Sequence, residues 1–177
     1  MNIPDCLLIL NPQIGFINDA TRFIPDRIAQ LLQENNFAHT ISSLFINDPA
    51  AQGFAKASGC LLMTEDDPDT LVSPELGDYF SSITQFTSCQ IGISENTIHW
   101  LKYQKVDEVA LVGISTDMHV LKTAIDLFNA GIRPNILASY CASEFGDDAH
   151  NDGLRIFSRY IGFKYITFGP IAACKQG

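Results

Sequence analysis

Apolar residues occur along the chain in short unbroken runs, separated by segments in which apolar positions recur every three or four residues. Residues 6–10 (CLLIL) form the first run, and an unbroken apolar run of this length is typical of a strand covered on both faces. Pro25 suits the first turn of a helix, and Ile28 and Leu31 then fall on one helical face. Because strand-like and helical segments keep alternating, the pattern predicts an α/β fold with a parallel sheet.

The same pattern predicts about six strands and four helices. The strands are predicted at residues 6–10, 39–48, 79–86, 106–114, 134–139 and 164–168, and the helices near Pro25 and at 95–105, 117–130 and 149–162. In the helix at 117–130, the residues predicted to face the core are spaced three and four apart: Leu121, Ala124, Ile125 and Phe128. Gly131 then supplies the left-handed residue that ends this helix.

The composition suits one globular domain, which we place at residues 1–177. The chain is 46% hydrophobic and carries 11 basic against 20 acidic residues, a formal net charge of -9. No cluster of Lys and Arg is present to neutralise phosphates, so nucleic acid and an anionic membrane surface are not expected as partners. The first apolar run is also too short for a signal peptide or a membrane span.

Cysteine and histidine spacing argues against disulfides, metals and cofactors. The chain has five cysteines without a CxxC pair, which favours a reduced, cytoplasmic protein. Its four histidines are far apart, so no Cys/His set has the spacing of a zinc site, and Asp48 has no histidine beside it. The phosphate-binding patterns GxGxxG and GxxxxGK are missing from the sequence. We therefore predict no metal and no cofactor.

Ligands of parallel sheets bind outside the carboxyl ends of the strands. This rule selects the residues that follow the predicted strands, namely 11–16, 47–48, 85–89, 115–119 and 139–143. Among them, Gln13 and Phe16 are predicted to brace and pack the loop after the first strand. Cys89 could pair with His119 as a thiol–imidazole couple. No basic residue near Cys89 would activate the thiol, however, so a buried structural role is favoured.

Three segments, in order along nearly the whole chain, resemble the isochorismatase-like cysteine hydrolases. LLILNPQIGF is similar to the family's first strand, in which an apolar run is followed by Asp-x-Gln and then by Phe. VDEVALVGISTDMHVLKTAIDLFNAGI resembles the strand, turn and helix around its nucleophile. ASYCAS and HNDGLRIFSRYIGFKYI resemble its closing segment, with Ser139 in place of the usual Asp. The resemblance implies a Rossmann-like, doubly wound sheet, a homo-oligomer, and hydrolysis of C–N amide bonds or of a vinyl ether.

The resemblance also implies a catalytic triad of Asp, Lys and Cys, and all three positions differ in this chain. In the family, the Asp follows the first strand, the Lys follows a middle strand, and the Cys begins a helix after a turn with a cis peptide. These positions correspond to Asn11, Gln85 and His119. An amide cannot accept a proton at neutral pH, and no Lys or Arg occurs between residues 56 and 102. The base, the cation and the thiol are therefore all missing.

The three replacements form a neutral set of hydrogen-bonding side chains. A buried Lys without its Asp would be an unpaired charge, which costs several kcal/mol, so the three positions are expected to change together. His119 is predicted to be neutral because the positive end of the helix dipole disfavours an imidazolium. Two interpretations stay open: the set is either a polar plug that fills an inactive pocket or a pocket that binds a small polar molecule. The binding residues are predicted to be Asn11, Gln85, His119 and, from the turn, Ser115 and Thr116.

The sequence leaves three functions open. The first is a catalytically degenerate member of the family that acts as a binding, regulatory or assembly module. The second is an active hydrolase of a small amide or related substrate, in which neutral His119 acts as base and Asn11 and turn amides hold an oxyanion. The third is an interaction protein that uses only its oligomer surface. The missing triad favours the first.

Overall fold

The computed structural model describes residues 4–48, 50 and 62–169, so Cys60 and Cys174 lie outside the described residues. Its strands are β1 (Cys6–Leu10), β2 (His39–Phe45), β3 (Thr84–Ser88), β4 (Glu108–Ile114), β5 (Arg133–Ala142) and β6 (Ile166–Thr167). Its α-helices are α1 (Ile24–Glu34), α2 (Gly77–Phe80), α3 (Glu95–Tyr103), α4 (Leu121–Asn129) and α5 (Asp147–Phe157). Short 3₁₀ helices lie at Ile14–Phe16, Pro68–Thr70, Pro74–Leu76 and Phe163–Tyr165, and π-helical turns at Thr116–Val120 and Ser158–Gly162. None of these helices is long and apolar enough to cross a bilayer.

All six strands form one parallel sheet in the order β3-β2-β1-β4-β5-β6. The central strand β1 supplies residues to two cores, because successive side chains point to opposite faces of the sheet. Leu8 packs in a core with Leu111 of β4 and Leu127 of α4. Leu7 packs on the other face with Ile28 of α1. The prediction of a doubly wound parallel α/β fold is confirmed.

The third strand lies further along the chain than the predicted range of 79–86. Tyr79 and Phe80 have side chains that favour strands, yet they are the last two residues of the short helix α2. Phe80 is buried there in the same core as Ile28. Tertiary packing therefore overrides local propensity at this point. The strand itself is β3, which places Gln85 near its amino end and Ser88 at its carboxyl end.

Helix α4 buries a slightly different face from the one predicted. Leu121 and Ala124 are buried as expected, and Ile125 is partly buried against the same core. Phe128 is 51% exposed, and Leu127 takes its place in the core. The buried face thus follows a spacing of three from Ala124, after a π-helical turn that shifts the phase of the helix relative to a regular α-helix.

Candidate functional site

The candidate site begins where β1 and β4 end side by side at the carboxyl edge of the sheet. Leu10 of β1 is paired with Gly113 of β4. Asn11 follows with φ of 47°, a left-handed conformation that Asn tolerates better than most residues, and its backbone N–H donates to the Ser43 carbonyl over 3.1 Å. The Asn11 side chain is 3% exposed, and its Nδ2 has no hydrogen-bond partner. The general-base position of the family therefore holds a buried amide with an unused donor.

The turn after β4 brings the backbone to the start of the next helix. The Ile114–Ser115 peptide is cis, at the place that the family resemblance assigns to it. Gly113 has φ of +124°, and a Cβ built on it would lie 2.0 Å from the Leu10 carbonyl oxygen, so only glycine fits between the two strands. Residues Thr116–Val120 then form a π-helical turn that continues into α4.

His119 lies in this turn and is enclosed by aromatic rings. Its imidazole is 5.6 Å from the Phe16 ring and 5.5 Å from the Phe45 ring, both in edge-to-face geometry. The side chain is 5% exposed, and burial lowers its pKa from 6.5 to about 4. None of the described residues forms a hydrogen bond with the ring. The residue at the nucleophile position is therefore a neutral imidazole that no carboxylate of the described residues orients.

Two hydroxyl groups of the turn are paired with side chains from the loop after β5 and from α5. Ser115 Oγ donates a hydrogen bond to the Glu144 carboxylate, and Thr116 Oγ1 lies 2.7 Å from His150 Nδ1. Burial raises the pKa of Glu144 and lowers the pKa of His150. Ser115 and Thr116 have no exposed surface. These couples resemble a nucleophile with its base, but a substrate cannot reach either hydroxyl.

Asp117 interacts electrostatically with His119, His150 and Glu144. Its negative charge raises the pKa of both histidines, against the effect of burial, and it raises the pKa of Glu144 further in the same direction as burial. One of its carboxylate oxygens is buried without a hydrogen-bond partner. A Cβ built on Gly153 would lie 2.7 Å from the Asp117 Cα, so α5 packs directly on the backbone of the turn.

Gln13 holds the loop after β1 to the neighbouring backbone. Its Nε2 donates to the carbonyls of Phe45 and Thr70, each over 2.9 Å, and its Oε1 accepts from the Phe45 N–H over 2.8 Å. The side chain is fully buried. Gln13 therefore braces the loop, as the sequence predicts, and it fixes Phe45 beside His119.

The structure does not bring Gln85 to the site. Gln85 is exposed near the amino end of β3, and its Nε2 donates to the Phe80 carbonyl over 3.0 Å. The strand begins five residues later than predicted, which places Gln85 near its amino end and not after its carboxyl end. Ser88 is the last residue of β3, and Cys89 directly follows the strand.

The sequence does not predict a role in the site for three residues around the turn: Asp117, Glu144 and His150. Glu144 directly follows the selected segment 139–143, and Asp117 lies inside a selected segment without an assigned role. His150 lies at the start of the last predicted helix, where the sequence predicts a solvated helix N-terminus. The positions of Asp117, inside a selected segment, and of Glu144, one residue beyond another, are the signals that the sequence offers for this cluster.

The thiols of the described residues are not placed for nucleophilic attack. Burial raises the pKa of Cys6 and of Cys141 to about 12. Cys89 is partly buried and has no hydrogen bond to His119. Within the described residues, no three His, Cys, Asp or Glu side chains are grouped so that they could hold a metal ion.

The strand order defines a Rossmann-like α/β protein, and the candidate site lies where β1 and β4 end side by side. The family model of the isochorismatase domain matches residues 5–163, so the chain belongs to the isochorismatase family. No curated protein sequence matches the chain.

Solved structures share this fold at low sequence identity. A pyrazinamidase/nicotinamidase from Streptococcus mutans has a TM-score of 0.80 and 19% identity, over 93% of this chain and 99% of that one. A cysteine hydrolase from Pseudomonas syringae pv. phaseolicola has a TM-score of 0.79 and 18% identity, over 92% and 87% of the two chains. An isochorismatase-like hydrolase from Alkaliphilus metalliredigens has a TM-score of 0.77 and 16% identity, over 88% and 91%. At such identities the similarity concerns the fold alone.

Proposed function

We propose that the chain is a catalytically degenerate member of the isochorismatase family that acts as a small-ligand-binding, regulatory or assembly module. The observation that carries the proposal is the state of His119. A neutral imidazole enclosed by Phe16 and Phe45 occupies the place of the family's thiol nucleophile. Covalent catalysis needs a nucleophile that is both activated and accessible, and this side chain is neither.

The groups around His119 support the same proposal. Asn11 cannot take a proton from a nucleophile or from water at neutral pH. The hydroxyls of Ser115 and Thr116 have bases within reach but no exposed surface. Buried Cys6 and Cys141 stay protonated because their pKa is about 12.

A hydrolase that uses His119 as general base is less well supported. A base that activates water must reach that water, and it is usually oriented by a hydrogen-bonded carboxylate. His119 is 5% exposed, and among the described residues no carboxylate is hydrogen-bonded to it. Glu144 instead accepts a hydrogen bond from Ser115, and Asp117, which belongs to the turn itself, interacts electrostatically with His150.

We further propose that the remaining polar groups of the site bind a small, uncharged polar molecule. Asn11 Nδ2 is an unused donor, and the first N–H groups of a helix have no partner within the helix. We propose Asn11 and His119 as the binding residues. Binding by Ser115, Thr116 and Gln85 stays a prediction, because the two hydroxyls are buried against Glu144 and His150 and Gln85 is exposed on β3. The single domain over residues 1–177 and the homo-oligomer stay predictions, and so does the cytoplasmic location.

An activity assay tests the proposal. The chain is incubated with nicotinamide, pyrazinamide and isochorismate, and ammonia release and substrate loss are measured. We expect no turnover above a blank without protein, because the described residues of the site provide neither an activated nucleophile nor an accessible base. An active nicotinamidase serves as positive control. Turnover that disappears in His119→Ala would contradict the proposal.

A further inference from the structure

Three described segments meet on one face at the carboxyl edge of the sheet: 11–18, 62–71 and 143–148. The Ile14 N–H donates to the Leu71 carbonyl over 2.9 Å, which joins the first segment to the second. Asn18 Nδ2 donates to the Glu144 carbonyl over 2.9 Å, which joins the first segment to the third. We call the surface formed by these three segments the acidic face.

The charged side chains of the three segments are all acidic, and Arg155, which lines a surface depression with Asp148, is paired with Asp152 at 2.7 Å. Its exposed acids are Glu65, Asp66, Asp147 and Asp148, and its half-buried acids are Asp67, Asp69 and Glu144. Neither Lys nor Arg occurs in the described residues of the three segments. The next basic residue along the first segment is Arg22, which pairs with Asp19 at 3.7 Å. A surface of this kind attracts cations and repels acidic proteins.

Apolar side chains stand among these acids. Ile14 is 38% exposed, Leu71 is 60% exposed and Phe145 is 70% exposed. Phe145 directly follows Glu144, and Leu71 is bonded through its backbone to Ile14. Exposed apolar residues on one surface often mark a site of protein–protein interaction, where they are buried and provide much of the binding energy.

We infer that the acidic face docks a basic segment of a partner protein, with Leu71 and Phe145 as apolar anchors. The inference rests on the proposed function, since a regulatory or assembly module acts through a partner. Charge complementarity selects a basic partner over a second copy of this chain, whose net charge is -9. The apolar anchors select a peptide with apolar side chains over a simple polyamine.

A binding experiment with a defined probe tests this inference. A short fluorescent peptide in which arginine alternates with leucine is titrated with the full chain, and anisotropy gives the dissociation constant. We expect binding that weakens as salt rises, because the charge pairs are exposed. We also expect a peptide with serine in place of leucine to bind about tenfold more weakly. Equal binding of both peptides would contradict the role of the apolar anchors.

Variants of the anchors locate the binding surface. Leu71→Ser and Phe145→Ser are each expected to weaken binding about tenfold, since each removes an apolar contact. The matched control is Tyr103→Ser, because Tyr103 is 82% exposed on α3, outside the acidic face. If the control weakens binding as much as the anchor variants do, the acidic face is not the docking surface.

Charge variants test the electrostatic part. Asp147→Asn combined with Asp148→Asn is expected to weaken binding several-fold and to reduce its salt dependence. Glu34→Gln combined with Asp107→Asn removes the same charge from the opposite edge of the sheet and is expected to change binding little. Equal effects of the two double variants would contradict the inference. Peptide binding and substrate turnover are measured separately. A chain that binds the peptide but turns over a substrate contradicts only the proposed function. A chain that is inactive and does not bind the peptide contradicts only the docking surface.

Discussion

Lowering the pH from 7 to 4 is expected to cost the folded chain about 3 kcal/mol through His119 alone. Burial lowers the pKa of His119 from 6.5 to about 4, so the unfolded chain binds a proton here more readily than the folded chain does. The contribution is fully present above pH 6.5 and is lost as the pH falls towards 4. The free energy of unfolding, measured by urea titration at a series of pH values, reports the loss.

The variant His119→Gln isolates this contribution from the other titrating groups. A glutamine does not titrate, so we expect the difference in unfolding free energy between the two chains to shift by about 3 kcal/mol across this pH range, in favour of the variant at low pH. His99→Gln is the matched control, because His99 is exposed on α3. A pH-independent difference for His119→Gln would mean that folding does not lower the pKa of this imidazole, which would contradict its burial in a neutral form.

Asn11→Asp is expected to destabilise the fold by about 3 kcal/mol at pH 7. Asn11 is 3% exposed, and its side-chain nitrogen has no partner, so a carboxylate at this position would be buried without a cation. Aspartate, like asparagine, tolerates the left-handed backbone at this position, so the substitution changes little besides the charge. Burial would raise the pKa of the new carboxyl, and the loss should therefore shrink as the pH falls and the carboxyl is protonated.

The control for this variant is Asn36→Asp, which adds the same charge at an exposed position. We expect it to change the unfolding free energy by less than about 0.5 kcal/mol. If Asn11→Asp were as mild as its control, a cation would have to lie beside residue 11. That result would contradict the view that the site has changed to a neutral set of side chains.

The central strands and their site residues could be predicted because burial leaves a clear pattern. β1 is covered on both faces, so residues 6–10 are apolar without interruption, and the strand bounds are as predicted. β4 is equally buried along most of its length. Asn11 and the turn that carries His119 directly follow these two paired strands, and their meeting at one edge follows from the parallel sheet.

The edge strand β3 and the partners of the turn, Glu144 and His150, could not be predicted because neither leaves a local apolar pattern in the sequence. β3 lies at the edge of the sheet and is mostly exposed, so its sequence TQFTS lacks a strong apolar pattern, and Gln85 was misplaced. Glu144 and His150 contact the turn across 29 and 34 residues of sequence. Contacts of this range depend on how α5 packs on the turn, where Gly153 allows a close approach that no local pattern announces.

Peptide mapping by mass spectrometry after incubation with a substrate-like ester tests the central claim most directly. The native chain is incubated with nicotinic acid phenyl ester, and an active cysteine hydrolase of the family is treated in the same way as positive control. We predict that peptide mapping finds no acyl adduct on His119, Cys6 or Cys141, because His119 is enclosed and the two thiols are buried and protonated. An acyl adduct on any of these three residues of the folded chain would contradict this account.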